Sequence, residues 1–193
     1  ASVGETIATE PGVSATYFGP SASRPVIRGL GGDRVLMLQD GISALDVSSL
    51  SQDHAVAIES VLADQVEILK GPATLLFGSG AVGGVVNVVD GRIPTRFSTD
   101  ANGASFEVRG DTASDERTGV GRLDFGTDSV RVHVDGFKRE TDDVEIPGFA
   151  FSSSERAEHA EEDPDEQFAR GRLENSDSET YGGTFGISAG DAD

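Results

Sequence analysis

The chain has 193 residues, 36% hydrophobic and 25% charged, with a formal net charge of −19 and no cysteine. That length supports one ordinary domain, or a small domain with an appendage. The composition excludes disulfides, thiolate metal centres and cysteine nucleophiles, and the acidity excludes nucleic acid, whose phosphates would be repelled. The charge suits cations, basic partners or a salty medium. It is uneven: residues 1–97 carry 10 acids and 6 bases, residues 98–193 carry 24 acids and 9 bases. No apolar run approaches the ~18 residues of a membrane-spanning helix. The chain starts at Ala1 without Met, which reads as a processed or trimmed segment.

In chain order, Ser2 is predicted to cap a short helix with Glu5 as its capping-box partner, and Pro11-Gly12 stops it. "RPVIRGL" and "DRVLMLQDG" read as two strands around Gly31-Gly32, a hairpin signal. "SLSQDHAVAIESVLA" places Ala55, Ile58, Val61 and Leu62 at helical spacing. "DQVEILKG" is a strand, "PATLLFG" a helical turn with proline at its start, and "GGVVNVVD" a buried strand. Together these make an α+β unit of 1–97.

Residues 98–193 change period. "SFEVRGD", "GRLDFG", "VRVHVDGF" and "TYGGTFGISA" each alternate, with apolar residues on one face and residues such as Arg122, Asp124, Arg131, His133 and Asp135 on the other. One apolar and one wet face suits strands of a membrane barrel; a one-sided soluble sheet alternates in the same way. Between the third and fourth strands, residues 140–179 carry 14 acids and 3 bases, which reads as a long acidic loop.

Two motifs of catalysis and cofactor binding fail on context. Gly78-Ser79-Gly80-Ala81-Val82-Gly83 matches G-x-G-x-x-G, but the valines that follow make a strand where a dinucleotide site requires a helix. Phe77 and Ala81 break a G-x-S-x-G elbow around Ser79. Three scattered histidines form no visible triad, so no enzyme is expected.

Three ordered pieces carry a resemblance: "VGETIATEPGV", "RPVIRGLGGDRVLMLQDGI" and "ILKGPATLLFGSGAVGGVVNVVD". Ile27-Arg28-Gly29, Leu36–Gly41 and Lys70-Gly71-Pro72…Phe77-Gly78…Val82-Gly83-Gly84-Val85-Val86-Asn87 resemble the signatures of the plug domain of TonB-dependent outer-membrane receptors. The second half resembles the opening barrel strands and first long outer loop of the zinc-uptake-type subgroup, through "RLDFG…VHVDGFKRETDDVEIPGFA…RLENSDSETYGGTFG". The implied fold is an α+β plug (1–97) followed by antiparallel strands (98–193) of a 22-stranded transmembrane β-barrel, the barrel of about 22 strands being the size known for such transporters. This chain holds about four of those strands, and 98–193 taken alone is expected to aggregate along its open edges. The implied function is energy-dependent uptake across a Gram-negative outer membrane, driven by TonB through an N-terminal box. The partners are TonB, the remainder of the barrel and outer-membrane lipid. The cargo is a metal ion, zinc first, or a metal chelate such as a ferric siderophore, with no permanently bound cofactor. A soluble β-rich module that binds a cation or a protein is the alternative.

The resemblance gives structural or gating roles to Arg28, Gly29, Lys70, Gly71, Pro72, Gly78, Gly83, Gly84 and Asn87. Family plugs carry arginines that pair with wall carboxylates; Lys70 stands where arginine is usual and cannot make the bidentate fork, so Arg28 is favoured for that role. Phe77 replaces the usual tyrosine and lacks only its hydroxyl. Asp46, Asp53 and His54 fall in a loop that in this family meets the ligand, and imidazole with carboxylate suits a divalent ion; equally, Asp53 is a good cap for a helix that starts at His54 or Ala55. Glu155, Glu158, His159 and Glu162 share a face at helical spacing, as a cation-collecting surface or as part of a solvated acidic loop without fixed structure.

Overall fold

Ser2 opens the first helix. In the computed structural model, which describes residues 2–19, 22–44, 47–51, 54, 56, 58–162 and 167–190 without the side chains of Ser49, Thr99 and Glu162, helix α1 is Val3–Ile7. Both halves of its capping box are made: Ser2 Oγ accepts from Glu5 N at 3.3 Å, and Glu5 Oε2 accepts from Ser2 N at 2.8 Å. After the Pro11-Gly12 turn, β1 (Val13–Ala15) pairs antiparallel with β2 (Pro25–Ile27).

That pairing corrects the predicted hairpin across Gly31-Gly32. Arg28 takes a left-handed φ of 52°, and the backbone closes on itself between Ile27 and Leu30. The strand therefore ends at Ile27, and Gly32–Arg34 winds into one 3-10 turn. β3 (Val35–Gln39) leaves that turn in a different sheet, with β4 (Ile42–Ser43), β5 (Gln65–Leu69) and β6 (Gly84–Val89) in the order β4–β3–β6–β5. The β3–β6 pair is parallel and the other two are antiparallel.

The valine run makes sense here. Val86 and Val88 pack with Val3, Ile7, Val13, Ile27 and Ile58 on one side of the sheet, while Val85 packs with Leu38 and Ala81 on the other. A strand buried on both faces has no polar face to alternate with. The predicted helix over 55–62 is not formed in its described part. Glu59 is extended (φ −91°, ψ 115°) and its carboxylate accepts from Val61 N, so only Ser60–Leu62 coils, as a 3-10 turn. Ile58 and Leu62 are nonetheless buried, as their spacing suggested. Pro72–Phe77 is the predicted helical turn, of 3-10 type.

The rest of the chain is β7 (Gly103–Asp111), β8 (Glu116–Gly126), β9 (Val130–Thr141), β10 (Val144–Phe149), α2 (Ser153–Glu162), β11 (Arg170–Leu173) and β12 (Ser178–Ala189). The four long strands form one antiparallel sheet, β12–β9–β8–β7. The stretch expected as a structureless acidic loop instead carries the β10–β11 hairpin with α2 at its tip. Ser152 and Glu155 supply α2 with a second capping box.

Gly84 lies where the two small sheets meet, and a Cβ there would sit 2.4 Å from Ile27 Cδ1 and 3.1 Å from the Leu69 carbonyl oxygen. Gly84→Ala should therefore lower the stability of the N-terminal unit by roughly 1–3 kcal/mol through overpacking. Ile27→Val removes the offending Cδ1. In urea unfolding of the intact protein, the double variant should be more stable than the sum of the two single losses; strict additivity would show that the clash is absorbed elsewhere.

Candidate functional site

The four long strands form a wall with two chemically opposed faces. In register, Ala104, Phe106 and Val108 on β7, Leu123 and Phe125 on β8, Val130, Val132 and Val134 on β9, and Tyr181, Phe185 and Ile187 on β12 share the outer face. These side chains are open, Phe106 at 77% and Phe185 at 69%. Lys138 and Glu179 pair at 3.0 Å beside Tyr181, so the apolar band ends in an aromatic and charged rim.

The opposite face is polar and covered by the N-terminal unit. Arg131 and His133 are 2% and 0% exposed, and Thr118, Asp135, Arg139 and Thr141 are also buried. Arg139 Nη2 reaches Glu59 Oε2 at 3.2 Å, with both side chains buried. Arg122 forks onto Asp64: Nη1 meets one oxygen at close range, and Nη2 donates to Oδ2 at 3.2 Å. The same arginine donates from Nε to Asp124 Oδ2 at 2.9 Å. His133 lies between Asp124 Oδ1, 2.8 Å from Nδ1, and Asp135 Oδ2, 2.7 Å from Nε2. Both contacts are satisfied when the ring or one of the two carboxyls carries the additional proton. A cavity of about 560 Å³ opens beside this cluster, lined by Asp64, Gln65, Arg96, Arg122, Asp124 and Arg131 among others.

The connection from β6 to β7 is laid against the same face. Arg131 donates to the Ser98 and Ala101 carbonyls at 2.9 and 2.7 Å and to Asn102 Oδ1 at 2.6 Å. Ser188 Oγ donates to the Pro94 carbonyl at 2.6 Å. Gly186 is required by contact: a Cβ there would lie 1.8 Å from the Arg92 carbonyl oxygen. Where β6 ends, buried Asp90 accepts from Gln39 Nε2 at 2.7 Å and from Arg92 N at 3.1 Å, and its own N–H donates to Asp40 Oδ1 at 3.3 Å. Partial burial, then the hydrogen-bonded and like-charged Asp90, hold the Asp40 carboxyl above its ordinary value.

The sequence-predicted residues are spread over several places. Lys70 Nζ donates to the Pro11 carbonyl at 2.6 Å, tying the Pro72 turn to the α1–β1 turn. Gly71 and Gly78 flank that turn, each with φ 88°, and Gly29 has φ 81°. Gly83 N donates to the Arg34 carbonyl at 2.7 Å. Asn87 accepts from Gly41 N and donates to Glu67, both at 2.9 Å. Arg28 is exposed, and among the described residues its guanidinium meets no carboxylate. Asp46 and Asp53 lie outside the described residues, and neighbouring His54 is exposed.

On α2, Glu155 is taken up by the helix cap, where the Ser152 N–H pulls its carboxyl below the ordinary range. His159 packs against Phe151 and Phe168, with centroids 5.3 and 6.0 Å away. Glu158 is exposed one residue earlier, and Glu162 closes the helix. Among the described residues, no three His, Asp or Glu side chains converge on a metal position. The sequence pattern had placed Arg122, Asp124, Arg131, His133 and Asp135 on a wet face but had not paired them; Glu59 and Asp64 carried no local signal.

The Asp40 shift sets a pH dependence. A carboxyl raised in the folded state contributes stability that is complete below its ordinary value of 3.8 and is lost as pH rises through the folded value. Protection of the Asp40–Ile42 turn against hydrogen exchange should therefore fall from acid toward neutral pH. Asp40→Asn, which tolerates the same left-handed φ, should remove the fall and protect the turn better than the parent at pH 7; equal profiles would contradict the assignment. Gly186→Val should free the 92–98 connection from the wall, read as faster exchange of those amides with the β8–β9 ladder unchanged.

Comparison with known proteins places this geometry. Residues 1–85 match the family model for the TonB-dependent Receptor Plug Domain. The chain is 30% identical over 166 residues to the ferric enterobactin receptor PirA of Pseudomonas aeruginosa, covering 74% of this chain and 21% of that protein. It is 38% identical over 78 residues to the hemin receptor of Yersinia pestis, 39% of this chain and 11% of that one. Among solved structures it is similar to the copper transporter OprC, with TM-score 0.62, 26% identity, and 75% of this chain and 22% of that one covered. It shares the fold of the siderophore receptor PirA from Acinetobacter baumannii, with TM-score 0.58, 20% identity, and 75% and 23% covered. The chain thus spans about a tenth to a quarter of the length of these relatives. Residues 1–85 match the plug-domain model, and the chain's fold is a plug domain followed by antiparallel strands that match those of TonB-dependent receptor barrels.

Proposed function

We propose that this chain is the plug (1–97) and the opening wall strands (98–193) of a Gram-negative outer-membrane receptor that imports a metal chelate under drive from TonB. The observation that carries the reading is the opposition of the two wall faces: one open and apolar, the other charged and filled by the N-terminal unit through Arg122–Asp64 and Arg139–Glu59. An apolar outer band suits lipid, and it is poorly suited to a soluble cation-binding module, whose sheet would need water on that side. Substrate arrival from outside would loosen the plug, and force delivered by TonB would displace it along the charged wall. Residues 140–179, with their hairpin and α2, would face outward.

The cargo follows from the relatives' names. Hemin, ferric enterobactin and copper point to iron in a chelate or a porphyrin, with copper and then bare zinc behind them. Zinc capture by Glu158 and His159 needs a converging donor set, which the described residues do not form; Asp46 and Asp53 lie outside the described residues. No step of bond making is assigned; the site binds, holds and releases.

The test is accumulation of radiolabelled iron–catecholate, haem, copper and zinc in cells that express the intact receptor, with and without TonB. Accumulation of iron–catecholate or haem that requires both proteins is the expected result. TonB-dependent accumulation of zinc alone would reverse the order of cargoes, and no TonB-dependent accumulation of any would remove the uptake reading.

A further inference from the structure

The arrangement around Arg122 is asymmetric. Its terminal nitrogens hold Asp64 of the plug, while its Nε holds Asp124 of its own strand. Asp124 is fixed from behind by His133, and His133 by Asp135, so the second partner belongs wholly to the wall. Asp64 is the exposed member, with a side chain 47% open against 23% for Asp124. The cavity of about 560 Å³ beside them is lined by Asp64, Arg122 and Asp124 among others.

We propose that Arg122 is a transfer latch, a positioning residue whose terminal nitrogens pass from the plug's Asp64 to the wall's Asp124, already held by its Nε, when the plug moves. This rests on the reading that the plug is displaced during uptake. With Asp64 gone, Arg122 and Asp124 remain a paired charge, so the wall is not left with an orphan cation facing the plug space. Asp64, already half in water, departs at small cost. His133 and Asp135 keep Asp124 from following the plug, so the latch recloses on return. The two carboxylates share the charge of one guanidinium, which gives a signature that support of the fold alone does not produce: removing the plug's carboxylate loosens the plug, and removing the wall's carboxylate leaves the whole charge to Asp64 and tightens it.

The experiment uses the intact receptor in outer-membrane vesicles without substrate or TonB, so a failure of uptake leaves its outcome standing. Ser60→Cys, a near-isosteric change at a buried plug position, reports plug release through its maleimide labelling rate at fixed sub-denaturing urea. Asp64→Asn should speed labelling about fivefold and Asp124→Asn should slow it about fivefold, the scale of one partly exposed ion pair. An unchanged or faster rate in Asp124→Asn, or an unchanged rate in Asp64→Asn, overturns the proposal. If Asp124→Asn fails to assemble, barrel melting decides. Asp64→Asn should leave it where it was, because Arg122 keeps its wall partner, while Arg122→Gln should lower it; equal lowering by both overturns the latch.

Discussion

A strand that carries arginine, histidine and aspartate on one face can stand in a bilayer only if water or protein covers that face. Under the proposed reading, the rest of this chain is arranged around that demand. β8 and β9 set Arg122, Asp124, Arg131, His133 and Asp135 on one side, so the requirement falls there, and the N-terminal unit meets it. Arg139 takes Glu59, Arg122 takes Asp64, and Arg131 gathers the carbonyls of the segment that joins the two units. The wall supplies the cations and the plug supplies the anions. That polarity is the reverse of the plug arginine and wall carboxylate anticipated for Arg28.

The ties differ in kind, and burial decides how. Glu59 and Arg139 are both withdrawn from water, so either alone would be a buried, uncompensated charge. Asp64 is half open, and its separation from Arg122 is screened and cheap. The N-terminal unit is closely packed at its centre: β3 and β6 are buried by valine, isoleucine, leucine and methionine, with Gly84 admitting Ile27 at van der Waals limits. A body packed in that way shifts as a unit or unfolds, and it does not yield residue by residue.

Much of the fold was legible. The Ser2–Glu5 box, the proline-started turn at Pro72, the valine strand and the period-two wall strands follow from caps, turn chemistry and hydrophobic spacing, which are local. What was not legible is non-local or decided by one dihedral. Arg28 turning left-handed ends β2 early and sends β3 to another sheet, although Gly31-Gly32 looked like the corner. Glu59 spends its side chain on a cap and on Arg139, which breaks a run that is helical by spacing. The acidic stretch over 140–179 has the composition of an unstructured loop, yet Phe149, Phe151 and Phe168 give α2 and the β10–β11 hairpin something to fold around. The plug–wall pairs lie up to 80 residues apart in sequence; alternation revealed that Arg122 and its neighbours were wet, and no pattern in the sequence revealed which acids they met.

If ion pairs of this inverted polarity hold the plug to the wall, the Glu59–Arg139 pair is where reversal should show it. The measurement is urea-driven plug release in the intact receptor for Glu59→Arg, Arg139→Glu and the two together. Each single reversal should cost roughly 3–5 kcal/mol, as expected when a buried pair becomes a like-charge contact, and the double reversal should recover most of the loss. A double variant as unstable as the sum of the singles would show that the wall does not hold the plug through this pair.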